Sequence, residues 1–109
     1  MSYKDKCIDY FEIWNIQDVE LLRKCFTEDV ILRDWEILAN GIDEVCQANQ
    51  DIWNNTDSIN IVLVNQIQEN NQVVNEIAIE VNKEETLLVV DIIEFDDNGL
   101  IKRIEAYKG

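Results

Sequence analysis

Apolar residues recur at helical spacing through the first half of the chain and alternate with polar ones through the second. Tyr3, Cys7, Tyr10, Phe11 and Trp14 fall on one helical stripe, so YKDKCIDYFEIWN predicts a first amphipathic helix. NIQ breaks it. Asp18 is placed to cap a second helix carrying Val19, Leu22 and Phe26. TED then turns the chain into a short strand, VILRDWE. Gly41 precedes a third helix, with Ile42, Val45, Cys46, Asn49, Ile52 and Trp53 on its stripe.

After NNTDS the period changes. INIVLVNQIQ, VVNEIAIEV, TLLVVDIIEF and LIKRIEAY read as four strands, joined by turns at ENNQ, NKEE and DDNG. Asn98 and Gly99 tolerate the positive φ of a tight hairpin. Three helices followed by a meander predict one α+β domain over residues 1–109. Its sheet is curved and mainly antiparallel, with the helices on one face.

The third strand of this meander holds an anomaly: Asp91 has two aliphatic residues on either side. A lone charge in such a run is costly unless it is paired, hydrogen-bonded or protonated. Alternation puts Leu87, Val89, Asp91, Ile93 and Phe95 on one face, and Leu88, Val90, Ile92 and Glu94 on the other. The helices can cover the first. On the second, Val62, Val64, Ala78 and Ile101 are expected beside Leu88 and Val90, with Glu76, Glu80, Arg103 and Glu105 around them. An apolar centre with a charged rim predicts a homodimer through the sheet.

Charge narrows the partners. With 23 acidic and 9 basic residues the net charge is -14, which disfavours nucleic acid and anionic membranes. Anionic substrates are disfavoured too, unless a local basic pocket overrides the global field. No apolar run reaches the length of a membrane helix, and MSYKDKCIDYFE carries no apolar signal region. A cytoplasmic protein is expected. Cys7, Cys25 and Cys46 are odd in number and far apart, the pattern of buried thiols rather than of a disulfide framework or a Cys-pair metal site.

There is no histidine, so acid–base chemistry near neutral pH falls to a carboxyl of raised pKa, a tyrosine or a lysine. Three groups can face the space between helices and sheet: Asp91, Asp34 on the strand face of Val30 and Leu32, and Tyr10 on the first helix. A partly solvated Asp can act as base. A buried one can stay neutral and donate a hydrogen bond, as can Tyr. Two such donors stabilise the oxyanion formed when a neighbouring C–H loses its proton. Each residue also has a plainer account: Tyr10 as core, Asp34 as a turn or cap residue, Asp91 as partner to a lysine or arginine of the next strand.

DYFEIWNIQDVELLRKCFTEDVILRDW and VVDIIEFDDNGLIKRIEAY together resemble the NTF2-like (SnoaL-like) superfamily, and within it the ketosteroid isomerases. The resemblance implies a cone-shaped fold, usually dimeric, with no metal or organic cofactor. It implies Asp34 as the base that moves a proton between two carbons of a small apolar ketone. Tyr10 and Asp91 are then the oxyanion hole, and Trp14, Trp35 and Ile93 line the cavity. A non-catalytic module binding a small lipophilic ligand or another protein, and a polyketide cyclase using the same carboxyls, are the alternatives. This chain has Trp35 where the family often has proline. It has Ala48 and Asn49 where the isomerases place a supporting tyrosine.

Overall fold

Each helix begins at a residue suited to begin it. In the computed structural model, which describes all residues 1–109, the Ser2 side chain accepts from the Asp5 N–H at 3.1 Å and opens α1, Tyr3–Ile16. Asp18 does the same for Leu21 at 3.1 Å and opens α2, Val19–Arg23. Gly41, at φ 88°, turns the chain into α3, Ile42–Asn54. Cys7, Tyr10, Phe11 and Trp14 are the buried stripe of α1. Val45, Cys46, Asn49 and Trp53 are that of α3.

Six strands form one mixed sheet: β1 Phe26–Arg33, β2 Leu38–Asn40, β3 Ile59–Glu69, β4 Gln72–Val81, β5 Glu85–Phe95 and β6 Ile101–Lys108. Their order is β2-β1-β6-β5-β4-β3. Neighbours are antiparallel except β1 and β6, which are parallel. Register shifts interrupt β1–β6, β3–β4 and β5–β6, and such bulges bend a sheet. The helices cover the concave face. Asn15 fastens α1 to β3, its side chain donating to the Ile61 carbonyl at 2.9 Å and accepting from the Ile61 N–H at 2.7 Å. Tyr3 stacks on Phe95 with ring centroids 4.8 Å apart. No helix is long and apolar enough to cross a membrane.

Three expectations change. Phe26 opens β1 rather than closing the second helix, and Thr27, Glu28 and Asp29 of the expected turn are strand. Phe26 is buried either way, so the apolar stripe could not tell helix from strand. The short β2 was not foreseen; it is three residues with only Ala39 buried. Ile101 lies in the core at 1 % exposure, not on the outer face. The register shift between Glu94 and Phe95 reverses the alternation there. Of the other residues expected on the outer face, Val62, Val64 and Leu88 are exposed, and Tyr107, which was not expected there, is exposed beside them.

Candidate functional site

A row of polar side chains crosses the concave face at one level. Asp91 on β5 pairs with Asn75 on β4 and with Ala106 on β6, and Asn75 pairs with Gln66 on β3. Cross-strand partners share a face. On the other side of Ala106, Leu32 pairs with Ile104 and Arg33 with Glu105. Asp34, one residue past β1, therefore continues this register toward Ala106. The two carboxylates are about two strand spacings, or about 10 Å, apart along the backbone, and the residue between them is an alanine.

Asp91 is buried, at 8 % exposure. None of the three ion pairs, Arg23–Asp43, Lys102–Glu94 and Arg103–Glu105, involves it. Asn75 donates to the Asp91 backbone carbonyl at 3.3 Å, not to its carboxylate. Burial, and secondarily the negative charge of Asp34, push the Asp91 carboxyl up to about 7. It is thus divided between its neutral and charged forms at neutral pH. Asp34 is half-buried. Its Oδ1 accepts from the N–H groups of Glu36 at 2.7 Å and Ile37 at 2.6 Å. It is therefore a turn residue as well as a carboxylate whose charge reaches Asp91, and Oδ2 makes no hydrogen bond.

Tyr10 is buried, its ring edge-on to Phe26 at 5.9 Å and tilted on Phe11 at 5.5 Å. Burial first, and the Asp91 charge next, raise its phenol well above the usual range. Its hydroxyl remains a proton donor at any ordinary pH. It makes no hydrogen bond within the protein, yet it is not among the fully enclosed orphan groups, which are the Thr27 hydroxyl and the Trp53 indole nitrogen. The charge of Asp91 thus reaches Tyr10, and each residue has an unused polar group.

Among five surface clefts of about 220 to 480 Å³, one holds candidate residues. It measures about 370 Å³, lies where β1 leaves β6, and is lined by Asp34, Trp35 and Ala106 with Arg33, Glu105 and Lys108. Trp35 is 41 % exposed on its wall, with Lys108 Nζ 5.8 Å from the ring centroid. Trp14 and Ile93 pack in the core instead. The Trp14 indole donates to Asn49 Oδ1 at 3.0 Å and meets Trp53 edge-on at 5.6 Å. Tyr10 and Asp91 line none of these clefts. Ala106 is the link, since it lines the cleft and is the immediate partner of Asp91.

Asn75, Gln66 and Ala106 escaped the sequence reading. Asn75 is fully buried, donates to Cys7 Sγ at 3.7 Å and accepts from Gln66 Nε2 at 2.9 Å. It interrupts the apolar alternation of Val73 and Ile77 as Asp91 interrupts that of Val89 and Ile93, and the same anomaly could have found it. No cluster of three metal-ligating side chains is present.

The sequence pattern of the SnoaL-like domain matches residues 8–104. No curated protein sequence matches the chain. Among solved structures, a candidate ketosteroid isomerase from Kribbella flavida superposes with a TM-score of 0.87 at 17 % identity, covering 98 % of this chain and 77 % of that one. A candidate polyketide cyclase from Sinorhizobium meliloti gives 0.86 at 13 % identity, over 97 % and 99 %. A de novo designed protein with a curved β-sheet gives 0.83 at 19 % identity, over 100 % and 88 %. At such identities the likeness is one of fold, and a designed scaffold shares it, so function has to be argued from the site.

Proposed function

This chain belongs to the SnoaL-like domain family, and we propose that within it the protein is a cofactor-independent proton-transfer enzyme acting on a small ketone, in the manner of a ketosteroid isomerase. The observation that carries the reading is the buried, unbonded Asp91 carboxyl, raised to about 7 beside a second carboxylate. Two carboxyls in unlike surroundings, Asp91 buried and raised and Asp34 half-buried at the cleft, suit different roles in one reaction.

Asp34 Oδ2 takes a proton from the carbon next to the carbonyl. The C–H electron pair moves into the new C=C bond, and the carbonyl π pair moves to oxygen. That oxygen accepts from the Tyr10 hydroxyl and the protonated Asp91 carboxyl. Asp34 then returns the proton to the far carbon of the dienolate, giving the conjugated ketone. Each preorganised donor on the oxyanion is worth about 10²–10³ in rate. On this reading the substrate reaches both donors past Ala106, which lines the cleft and pairs with Asp91.

The second reading is a non-catalytic ligand-binding module, and the absence of Tyr10 and Asp91 from the cleft walls favours it. A panel of β,γ-unsaturated ketones, followed by conjugated-enone absorbance, separates the two. Turnover that disappears in Asp34→Asn is expected. No turnover by the unmodified protein, or equal turnover by Asp34→Asn, rejects the enzyme reading. An aldol cyclase would use the same carboxyls and is distinguished by cyclising a poly-β-ketone instead.

We also propose that the outer face of the sheet binds a second copy of the chain. Exposed Val62, Val64, Leu88 and Tyr107 support this.

A further inference from the structure

We propose that the Asp34–Trp35 cleft is an anion-recognition site, so that the ketone it admits carries a carboxylate or phosphate group at the end held by Arg33 and Lys108. This rests on the reading of Asp34 as the base, and it adds a class of substrate that the overall charge argues against. The chain has nine cations, and three of them are in ion pairs, Arg23, Lys102 and Arg103. Arg33 and Lys108 are in none, and both line this one cleft.

Their nearest carboxylates are otherwise engaged. Glu105 is the cross-strand partner of Arg33, but its oxygens are held by the Arg103 guanidinium and by the Tyr107 hydroxyl at 2.7 Å. Asp34 Oδ1 is committed to two backbone N–H groups. The cleft thus sets two cations, Arg33 and Lys108, beside two carboxylates, Asp34 and Glu105, of which Glu105 is ion-paired with Arg103. Lys108 Nζ sits over the Trp35 ring, 5.8 Å from its centroid. That contact leaves its three N–H donors unclaimed by any carboxylate. An anion in this cleft gains two charge-assisted partners while its apolar part lies against the exposed Trp35 ring. In a chain of net charge -14, an anionic ligand is repelled elsewhere, so a local basic site also selects where it binds. A volume of about 370 Å³ suits a small molecule.

The test measures binding of 2-naphthoate, 2-naphthyl phosphate and the neutral 2-naphthamide to the full chain by isothermal titration calorimetry at pH 7. At least one anion is expected to bind ten-fold or more tighter than the amide, and the anion that does so identifies the headgroup. Arg33→Gln combined with Lys108→Gln should abolish the preference. Lys108→Arg, which keeps the charge, should retain it. Equal affinity for anions and amide, no binding of any of the three, or an undiminished preference in the double variant overturns the proposal. Asp34→Asn separates it from the catalytic reading, since it should remove turnover yet keep or strengthen the anion preference. Anion preference without turnover of any ketone sinks the enzyme alone. Turnover of ketones without anion preference sinks the anion site alone.

Discussion

Asn75 and Asp91 are cross-strand partners, yet Asn75 bonds the backbone carbonyl of Asp91 and leaves its carboxylate alone. The Asn75 amide is spent on Asp91, Val73, Cys7 and Gln66. On that side of the row no side chain hydrogen-bonds the Asp91 carboxylate. The carboxyl is therefore held near its point of half-protonation by its surroundings.

Stability should fall as pH rises. Asp91 is raised from 3.8 to about 7. Below pH 3.8 folded and unfolded chains both hold the proton, and the contribution is fully present. Between 3.8 and about 7 only the folded chain holds it, so each pH unit costs about 1.4 kcal/mol. Above about 7 the loss is complete, on the order of 4 kcal/mol. Urea unfolding of the unmodified protein and of Asp91→Asn at pH 5, 6, 7 and 8 reads this directly. The unmodified protein should lose about 1.4 kcal/mol per unit relative to the variant up to pH 7, then run parallel to it. Parallel curves throughout would show that Asp91 titrates normally.

Tyr10→Phe divides folding from catalysis. The hydroxyl has no partner within the protein, while the ring packs on Phe11 and Phe26. Its removal should change unfolding free energy by less than about 0.5 kcal/mol, since no hydrogen bond is lost. Turnover of a β,γ-unsaturated ketone should fall about 10²–10³-fold. A large loss of stability would mean that the hydroxyl is a structural bond after all. Unchanged turnover would remove Tyr10 from the oxyanion hole.

Asn49 should be a structural residue rather than part of the chemistry. It is 3 % exposed, accepts from the Trp14 indole and donates to the Val45 carbonyl at 2.9 Å. Asn49→Leu leaves the indole N–H buried without a partner, a cost of about 1–3 kcal/mol. That corresponds to a fall in melting temperature of several degrees for a domain of this size. Trp14→Phe with Asn49→Leu removes both partners and should recover part of the loss. A double variant less stable than the sum of its singles would mean that the pair does not act as a unit.

What the chain discloses by itself follows from local pattern. The helix stripes, the four long strands and the inward turn of Asp91 are all written in periods of 3.6 and 2, which need no partner to be read. Ile101 was misplaced because a register shift lies between it and Glu94, and alternation carries no mark of a bulge. Phe26 fits a helix stripe and a strand face equally, because its burial suits either element. At the site, Asp91 stands out as a carboxylate inside an apolar run, and Asp34 only as a carboxylate on the strand face of Val30 and Leu32. Their relation depends on Ala106, and nothing in the sequence marks that alanine before the β1–β6 and β5–β6 registers are known. Arg33 and Lys108 are 75 residues apart and meet for the same reason.

The outer face gives the last expectation, a dimer. Leu88 on β5 is 64 % exposed and pairs with Ala78 on β4, which in turn pairs with Val62 on β3, itself 42 % exposed. Val64 and Tyr107, at 63 % and 56 %, continue the patch on either side. Glu76, Glu80, Arg103 and Glu105 are the polar rim, and such a surround is the usual anatomy of an interface. A second copy has to bury about 800 Å² per partner for a stable pair. Leu88→Asp places a charge at the centre of that area without touching the core, so the variant should keep its far-ultraviolet circular dichroism. Sedimentation equilibrium at micromolar concentration should then show a dimer for the unmodified chain and a monomer for the variant. A monomer for the unmodified chain would leave the face without this partner.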